Sequence, residues 1–119
     1  MSPTARQQGQ QAEEAACKYL LANGLELYSR NYYCRHGEID LIMGDNNTLV
    51  FIEVRYRSSS RFGSGAETVG PRKQARIVAA ATHYLQANPK QARRPARFDV
   101  IFMRSTDAIQ WVKDAFQSR

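Results

Sequence analysis

The sequence has no long hydrophobic run and only two cysteines among its 119 residues. A membrane-spanning helix needs about 18 consecutive apolar residues, so we expect no membrane span. Cys17 and Cys34 lack the Cys-x-x-Cys or Cys/His spacing of zinc sites, and we expect two free thiols. The N-terminal segment has no apolar stretch after Arg6, which predicts neither a secretory signal nor a lipid anchor and favours a cytoplasmic protein.

Acidic residues are almost missing from the middle of the chain. Residues 55–97 contain ten basic side chains and one acidic side chain, whereas residues 1–54 contain four basic and seven acidic side chains. Thirteen of the 17 basic residues are arginines, whose planar guanidinium suits phosphate. The pattern predicts a polyanion-binding surface beside a carboxylate cluster, although the charge alone fits a solvated basic loop and helix equally well.

The hydrophobic periodicity predicts a single α/β domain over residues 1–119, with residues 1–8 as a flexible tail. Its central mixed sheet of four to five strands is flanked by helices. We predict helices over 8–23 and 71–87, the second of them basic and amphipathic, and a surface loop after Tyr56. The predicted strands cover 26–33, 37–43, 48–56, 98–103 and 109–112.

The most informative candidate site consists of Asp40 and the segment Glu53-Val54-Arg55. A four-residue loop over 44–47 would place Asp40 opposite Phe51, on the same strand face as Glu53 and diagonal to it. Carboxylates on a covered strand are costly unless they are paired or bind a metal. The residues alone therefore allow either a Mg²⁺ site or a buried ion pair with Arg55 and no metal.

Two adjacent glutamates of the first helix have different predicted environments. By helical phase Glu14 faces solvent, where it can pair with Lys18, whereas Glu13 lies at the border of the buried face. A border glutamate is more often structural than catalytic. We nevertheless expect Glu13 to converge with Asp40 and Glu53 on one side of the sheet.

Four motifs together resemble those of a known family: EEAACKYL at 13–20, GEIDLI at 37–42, FIEVRYR at 51–57 and RFDVI at 97–101. The sequence resembles the YraN family of uncharacterised bacterial proteins, which is similar to PD-(D/E)XK nucleases, particularly those like Holliday junction resolvases. This resemblance implies a restriction-endonuclease-like fold. It also implies Mg²⁺- or Mn²⁺-dependent cleavage of structured or branched DNA, with DNA favoured over RNA.

The resemblance also implies roles for individual residues. Asp40 and Glu53 match the metal ligands, Glu13 matches the acidic residue of the first helix, and Arg55 stands where the family usually has lysine. Arginine cannot serve as a base because its pKa exceeds about 12, but it can bind the scissile phosphate. The residues expected to contact the nucleic-acid backbone are basic: Arg57, Arg61, Arg72, Lys73 and Arg76.

Two other functions are compatible with the same residues. The Arg55 substitution favours a nucleic-acid-binding module that has lost catalysis, and the basic surface could instead bind an acidic protein. Symmetric cutting of a four-way junction would require a homodimer. Asp99 and Trp111 are interpreted as structural, with Asp99 pairing with Arg97 and Trp111 packing against the core.

Overall fold

In a computed structural model the chain forms an α/β fold with one five-stranded mixed sheet and two flanking helices, as the sequence predicts. The structure describes residues 4–57 and 69–118. Arg61 and most of the loop after Tyr56 therefore lie outside the described residues. The elements are α1 (Ala5–Ala22), β1 (Glu26–Cys34), β2 (Gly37–Asp45), β3 (Thr48–Tyr56), α2 (Pro71–Ala87), a 3₁₀ turn (Gln91–Arg93), β4 (Ala96–Ser105) and β5 (Ala108–Phe116).

The sheet follows chain order, from β1 through β5. All neighbouring strands are antiparallel except β3 and β4, which are parallel. Parallel neighbours need a crossover connection, and α2 lies in the segment that joins them. The helix is thereby held against the sheet beside the carboxyl end of β3.

The two helices cover opposite faces of the sheet. Val50 and Ile52 of β3 belong to the hydrophobic cluster of α1, whereas Leu49 and Phe51 belong to the cluster of α2. The strand is buried on both faces because its side chains alternate between these clusters. Within the described part of the chain, no helix combines the length and hydrophobicity that crossing a membrane requires.

The first helix begins earlier than the sequence suggests. We expected residues 1–8 to form a flexible tail, but α1 begins at Ala5. The Thr4 hydroxyl accepts a hydrogen bond from the Gln7 backbone at 3.1 Å, and the Gln7 side chain accepts one from the Thr4 backbone at 2.8 Å. This reciprocal capping box satisfies free N–H groups of the first turn, which is why residues 5–8 are helical.

The hairpin between β2 and β3 corrects the predicted register. Asp45 pairs with Thr48, so the loop is Asn46-Asn47 instead of four residues, and Asn46 has a φ of 54°. Two-residue hairpin loops need positive φ, which asparagine tolerates better than most residues. Phe51 consequently pairs with Ile42, two residues from the predicted partner, Asp40. A shift of two residues preserves which face each side chain occupies.

Asp99 is buried and hydrogen-bonded to neighbouring residues of the sheet, in agreement with its predicted structural role. Its carboxylate accepts hydrogen bonds from Arg97 Nε at 3.0 Å, from Trp111 Nε1 at 2.9 Å and from the Asp114 backbone at 2.9 Å. These contacts connect β4 with β5. Cys17 and Cys34 are both buried free thiols, as expected.

Candidate active site

The sheet opens into a fork between β2 and β3. Pairing of these strands runs from Asp45 and Thr48 to Leu41 and Ile52, where it stops. Beyond this point β2 continues beside β1, and β3 continues beside β4 as far as Tyr56. The fork is therefore a gap in the backbone ladder that side chains from both faces of the sheet can reach.

Asp40 lies where the fork begins. Extending the strand register by one residue would put Asp40 opposite Glu53. The Val54 N–H, which has no strand partner on this side, donates to Asp40 Oδ2 at 2.8 Å. An unpaired, partly buried N–H is costly, so this hydrogen bond both satisfies the strand end and fixes the carboxylate.

Asp40 and Glu53 are in contact through their carboxyl groups. A side-chain hydrogen bond joins them, and only 8% of the Glu53 side chain is exposed. Burial and the neighbouring Asp40 charge raise the pKa of Glu53 to about 7. Burial also raises the pKa of Asp40, although the Val54 hydrogen bond opposes this change. Two touching carboxyls share a proton or need a cation, because both cannot ionise cheaply in such a site.

Two cationic side chains approach Glu53. Arg55 Nε lies 3.4 Å and Lys73 Nζ lies 3.6 Å from Glu53 Oε2. The Arg55 contact corresponds to the ion pair that the sequence left open as an alternative to a metal site. Lys73 comes from the first turn of α2, so it lies at the carboxylates and not only on an outer phosphate-binding rim.

Glu13 reaches the fork from α1. Burial and the charge of Asp40 raise the pKa of Glu13 to about 7. Glu13 belongs to the helix on one face of the sheet, and Lys73 belongs to the helix on the other. Asp40 interacts with both glutamates, with Glu13 through its charge and with Glu53 through a side-chain hydrogen bond. The convergence of all three carboxylates on one side of the sheet stays a prediction.

The neighbouring Glu14 is exposed, as the helical phase predicts, but its partner is Arg30 at 3.0 Å. The predicted partner was Lys18. Arg30 lies on β1, and sequence periodicity within one helix carries no information about such a contact. The distinction between a site-facing Glu13 and a solvent-facing Glu14 holds in the structure.

Asn31 is a site residue that the sequence reasoning missed. It lies in β1 between the residues that pair with Leu41 and Ile39, and its φ is 52°. Its side chain hydrogen-bonds to the Glu13 carboxyl. Positive φ is uncommon for residues other than glycine and enriched for asparagine, but nothing in the local sequence distinguishes this asparagine from others in the chain.

Gly37 sets how closely α2 approaches the fork. A Cβ atom at this position would lie 2.5 Å from the Arg76 carbonyl oxygen. Any larger residue would push α2 away from β2, and Lys73 is one turn earlier on that helix. The glycine of the GEID motif thus has a packing role at the site.

Of the residues predicted to contact phosphate, three lie on α2 and one lies just after β3. Arg72 and Arg76 are exposed on the first two turns of α2, and Arg57 is exposed just after β3. Arg57 follows the strand end at which the fork opens, and Arg72 and Arg76 belong to the helix that also carries Lys73. Arg61 falls outside the described residues.

Residues 12–103 match the uncharacterised protein family UPF0102. A UPF0102 protein of Nitrosococcus oceani is 54% identical over 117 residues, covering 96% of this chain and 94% of that protein. The chain belongs to the UPF0102 family. A UPF0102 protein of Saccharophagus degradans is 48% identical over 108 residues, covering 91% of each chain. One of Pseudomonas putida strain GB-1 is 43% identical over 120 residues, covering 98% and 96%. UPF0102 is the YraN family, so the predicted resemblance is confirmed.

The oxygen ligands at the fork of this UPF0102 protein are suited to a hard divalent cation. Among residues 4–57 and 69–118, no three His, Cys, Asp or Glu side chains form a metal-binding group. Asp40 and Glu53, which touch each other, offer two carboxylates. Mg²⁺ commonly takes one or two carboxylates together with waters and substrate phosphate, and two touching, poorly exposed carboxyls fit that requirement. Mn²⁺ accepts the same oxygen ligands.

Proposed function

We propose that the protein is a Mg²⁺- or Mn²⁺-dependent endonuclease that acts on structured or branched DNA. The observation that carries the proposal is the contact between the Asp40 and Glu53 carboxyls at an open fork in the sheet. A purely structural carboxylate acquires a full set of donors, as Asp99 does. The fork instead brings acidic groups together, which favours a bound cation.

Each residue of the fork has a chemical role in this proposal. Asp40 and Glu53 would hold the cation. A bound divalent cation neutralises phosphate charge and increases the acidity of water. Glu13, whose pKa is about 7, can hold or release a proton near neutral pH and can orient a water molecule by hydrogen bonding.

Lys73 and Arg55 would act on the phosphate. Both side chains lie within 4 Å of Glu53, so a phosphate held at the carboxylates would lie within reach of two positive charges. Arg55 can stabilise negative charge in the transition state but cannot release a proton. Lys73 supplies an ammonium from α2, which offsets the lack of a lysine at position 55.

DNA would be positioned by the exposed arginines around the fork. Arg57, Arg72 and Arg76 can contact phosphates on either side of the scissile bond. Such contacts fix the position of the duplex but do not read its sequence. A preference for branched DNA would then arise from shape and not from base contacts.

Cleavage of labelled four-way junction and linear duplex DNA, with Mg²⁺, Mn²⁺ or EDTA, tests this proposal. We expect metal-dependent cleavage by the wild type, and a loss of at least 100-fold for Glu53→Gln and Glu13→Gln. Glu14→Gln is the matched control, because Glu14 is the adjacent residue and faces solvent. Equal cleavage by all variants would contradict the assignment.

A DNA-binding module without turnover is the second candidate. It is favoured by the two ion pairs of Glu53 with Arg55 and Lys73, which compensate one carboxylate without a metal. Under this alternative the wild type binds junctions with a steep salt dependence, and neither Mg²⁺ nor Mn²⁺ produces cleavage.

A further inference from the structure

A groove runs between the first half of α1 and the end of β3. Its volume is about 430 Å³, within the range of roughly 300–1,000 Å³ that is typical of ligand sites. The lining residues include Gln8, Gly9, Ala12 and Glu13 of α1 together with Tyr56 and Arg57. We infer that this groove binds an unpaired nucleotide that flanks the scissile phosphate, an inference that rests on the proposed nuclease function.

The groove is continuous with the fork through Glu13. This residue lines the groove and interacts electrostatically with Asp40, which in turn contacts Glu53. In this proposal, a DNA strand whose phosphate lies at the carboxylates passes Glu13 and has its neighbouring nucleotide at the mouth of the groove. Arg57, on the β3 side, provides positive charge for the next phosphate of the same strand.

The walls of the groove suit a nucleobase. On the β3 side Tyr56 is partly exposed and contributes an aromatic ring, which can stack on any base. On the α1 side Gly9 leaves the wall open, because a Cβ atom there would meet nothing within 4 Å. Glycine in a helix interior is destabilising relative to alanine, and packing within the described chain does not require it here. Gln8 adds an amide that can hydrogen-bond to a base edge.

The occupant is an unpaired nucleotide because a paired base cannot enter. In a duplex each base is stacked between neighbours and paired across the helix, so insertion between α1 and β3 requires it to leave the stack. That step costs least where the nucleotide is already single-stranded. The groove thus predicts a preference for forks and junctions with unpaired nucleotides over blunt duplexes.

Fluorescence anisotropy without divalent cations tests this inference on the full chain. The probes are a fluorescein-labelled blunt duplex and the same duplex with two unpaired arms at one end. We expect the wild type to bind the forked probe more tightly. Gly9→Leu, which fills the groove, and Tyr56→Leu, which removes the ring, should each reduce that preference by about tenfold, because the base can no longer stack in the groove.

Two control variants distinguish the groove from general effects. Gln10→Leu adds the same side chain to an exposed position of α1, and Tyr56→Phe keeps the ring; both should retain the forked-probe preference. Unchanged preference in Gly9→Leu and Tyr56→Leu, with duplex binding intact, would overturn the groove assignment alone. Failure of the wild type to bind either probe would overturn the proposed function as well. If the two variants lose the preference for the forked probe but the wild type never cleaves DNA, the result would support the groove assignment and contradict the nuclease activity.

Discussion

The backbone N–H of Val54 donates to the Asp40 carboxylate at 2.8 Å, across the gap where β2 and β3 separate. A side chain here replaces a main-chain partner, so the position of Asp40 is set by the end of the strand ladder. The same contact leaves the second carboxylate oxygen available for Glu53 or for a cation. The fork and the carboxylate pair are therefore one structural feature.

Asp40→Asn should preserve the fold but remove cation binding. The amide oxygen can still accept the Val54 hydrogen bond, whereas its charge and one ligand oxygen are lost. We expect Mg²⁺ and Mn²⁺ to raise the melting temperature of the wild type at pH 8 and not that of the variant. Differential scanning fluorimetry over a range of metal concentrations measures this. An equal metal-induced shift in both proteins would place the ion elsewhere.

The stability of the protein should fall as the pH rises through the raised pKa of Glu53. That pKa is about 7 in the folded protein, whereas the ordinary pKa of a glutamate is 4.5, so the folded state binds the proton more tightly than the unfolded state. The resulting stability is fully present below about pH 4.5, decreases between pH 4.5 and 7, and is lost above pH 7. The decrease is on the order of 3 kcal/mol.

Urea denaturation at pH 5 and pH 8, without divalent cations, measures this pH dependence. Glu53→Gln should show a smaller decrease, because its amide does not ionise. The pKa values of Glu13 and Asp40 are raised in the same direction, so these two groups should account for part of the decrease that remains. The same slope in wild type and variant would show that Glu53 is not the group responsible.

The fold was largely predictable because its elements have clear periodicities. The helix predicted over 71–87 coincides with α2 (Pro71–Ala87), since proline at the first position and an amphipathic pattern mark its bounds. The two faces of β3 were also predictable from alternation. Turn length was not: Gly44 to Asn47 are all turn-forming residues, and local sequence does not decide how many of them leave the strands.

The site was predictable to the extent that it depends on strand parity. A register error of two residues left Asp40 and Glu53 on the same face, which is why the pair survives it. Lys73 at Glu53 depends on how closely α2 packs against β2, and Asn31 depends on an irregular backbone in β1. Both are tertiary effects that neither helical nor strand periodicity encodes.

Charge reversal on α2 should weaken DNA binding and change its salt dependence. Arg72 and Arg76 are exposed beside the fork, so we expect Arg72→Glu combined with Arg76→Glu to lower the log–log salt slope by about two. Lys90→Glu combined with Arg93→Glu, past the opposite end of α2, is the control with the same charge change. Anisotropy titrations between about 50 and 200 mM salt provide the slopes. Equal effects of both pairs would indicate attraction by net charge alone.

Asp99→Asn should destabilise the fold strongly without involving the fork. The buried carboxylate accepts from Arg97, Trp111 and Asp114, and an amide presents N–H groups to one or more of these donors. We expect a loss of about 3–5 kcal/mol in the free energy of unfolding. Asp107→Asn, in the exposed turn between β4 and β5, is the control. A loss below about 1 kcal/mol would mean that the network relaxes around the amide.

Lys73 is expected to contribute more to cleavage than Arg55. Its ammonium lies 3.6 Å from Glu53 Oε2, within reach of a phosphate held at the carboxylates. Lys73→Gln should lower Mg²⁺-dependent cleavage by about 100-fold or more, whereas Arg55→Lys retains a positive charge near Glu53 and should retain cleavage within about tenfold.

Arg76→Gln is the matched control for Lys73→Gln, since it removes one positive charge from the next turn of the same helix. Single-turnover cleavage at saturating protein separates the chemical step from DNA affinity. If Arg76→Gln and Lys73→Gln lose cleavage equally, Lys73 acts only through DNA attraction. If Arg55→Lys abolishes cleavage while Lys73→Gln does not, the Arg55 guanidinium is the group that stabilises the phosphate, and α2 serves to bind the duplex.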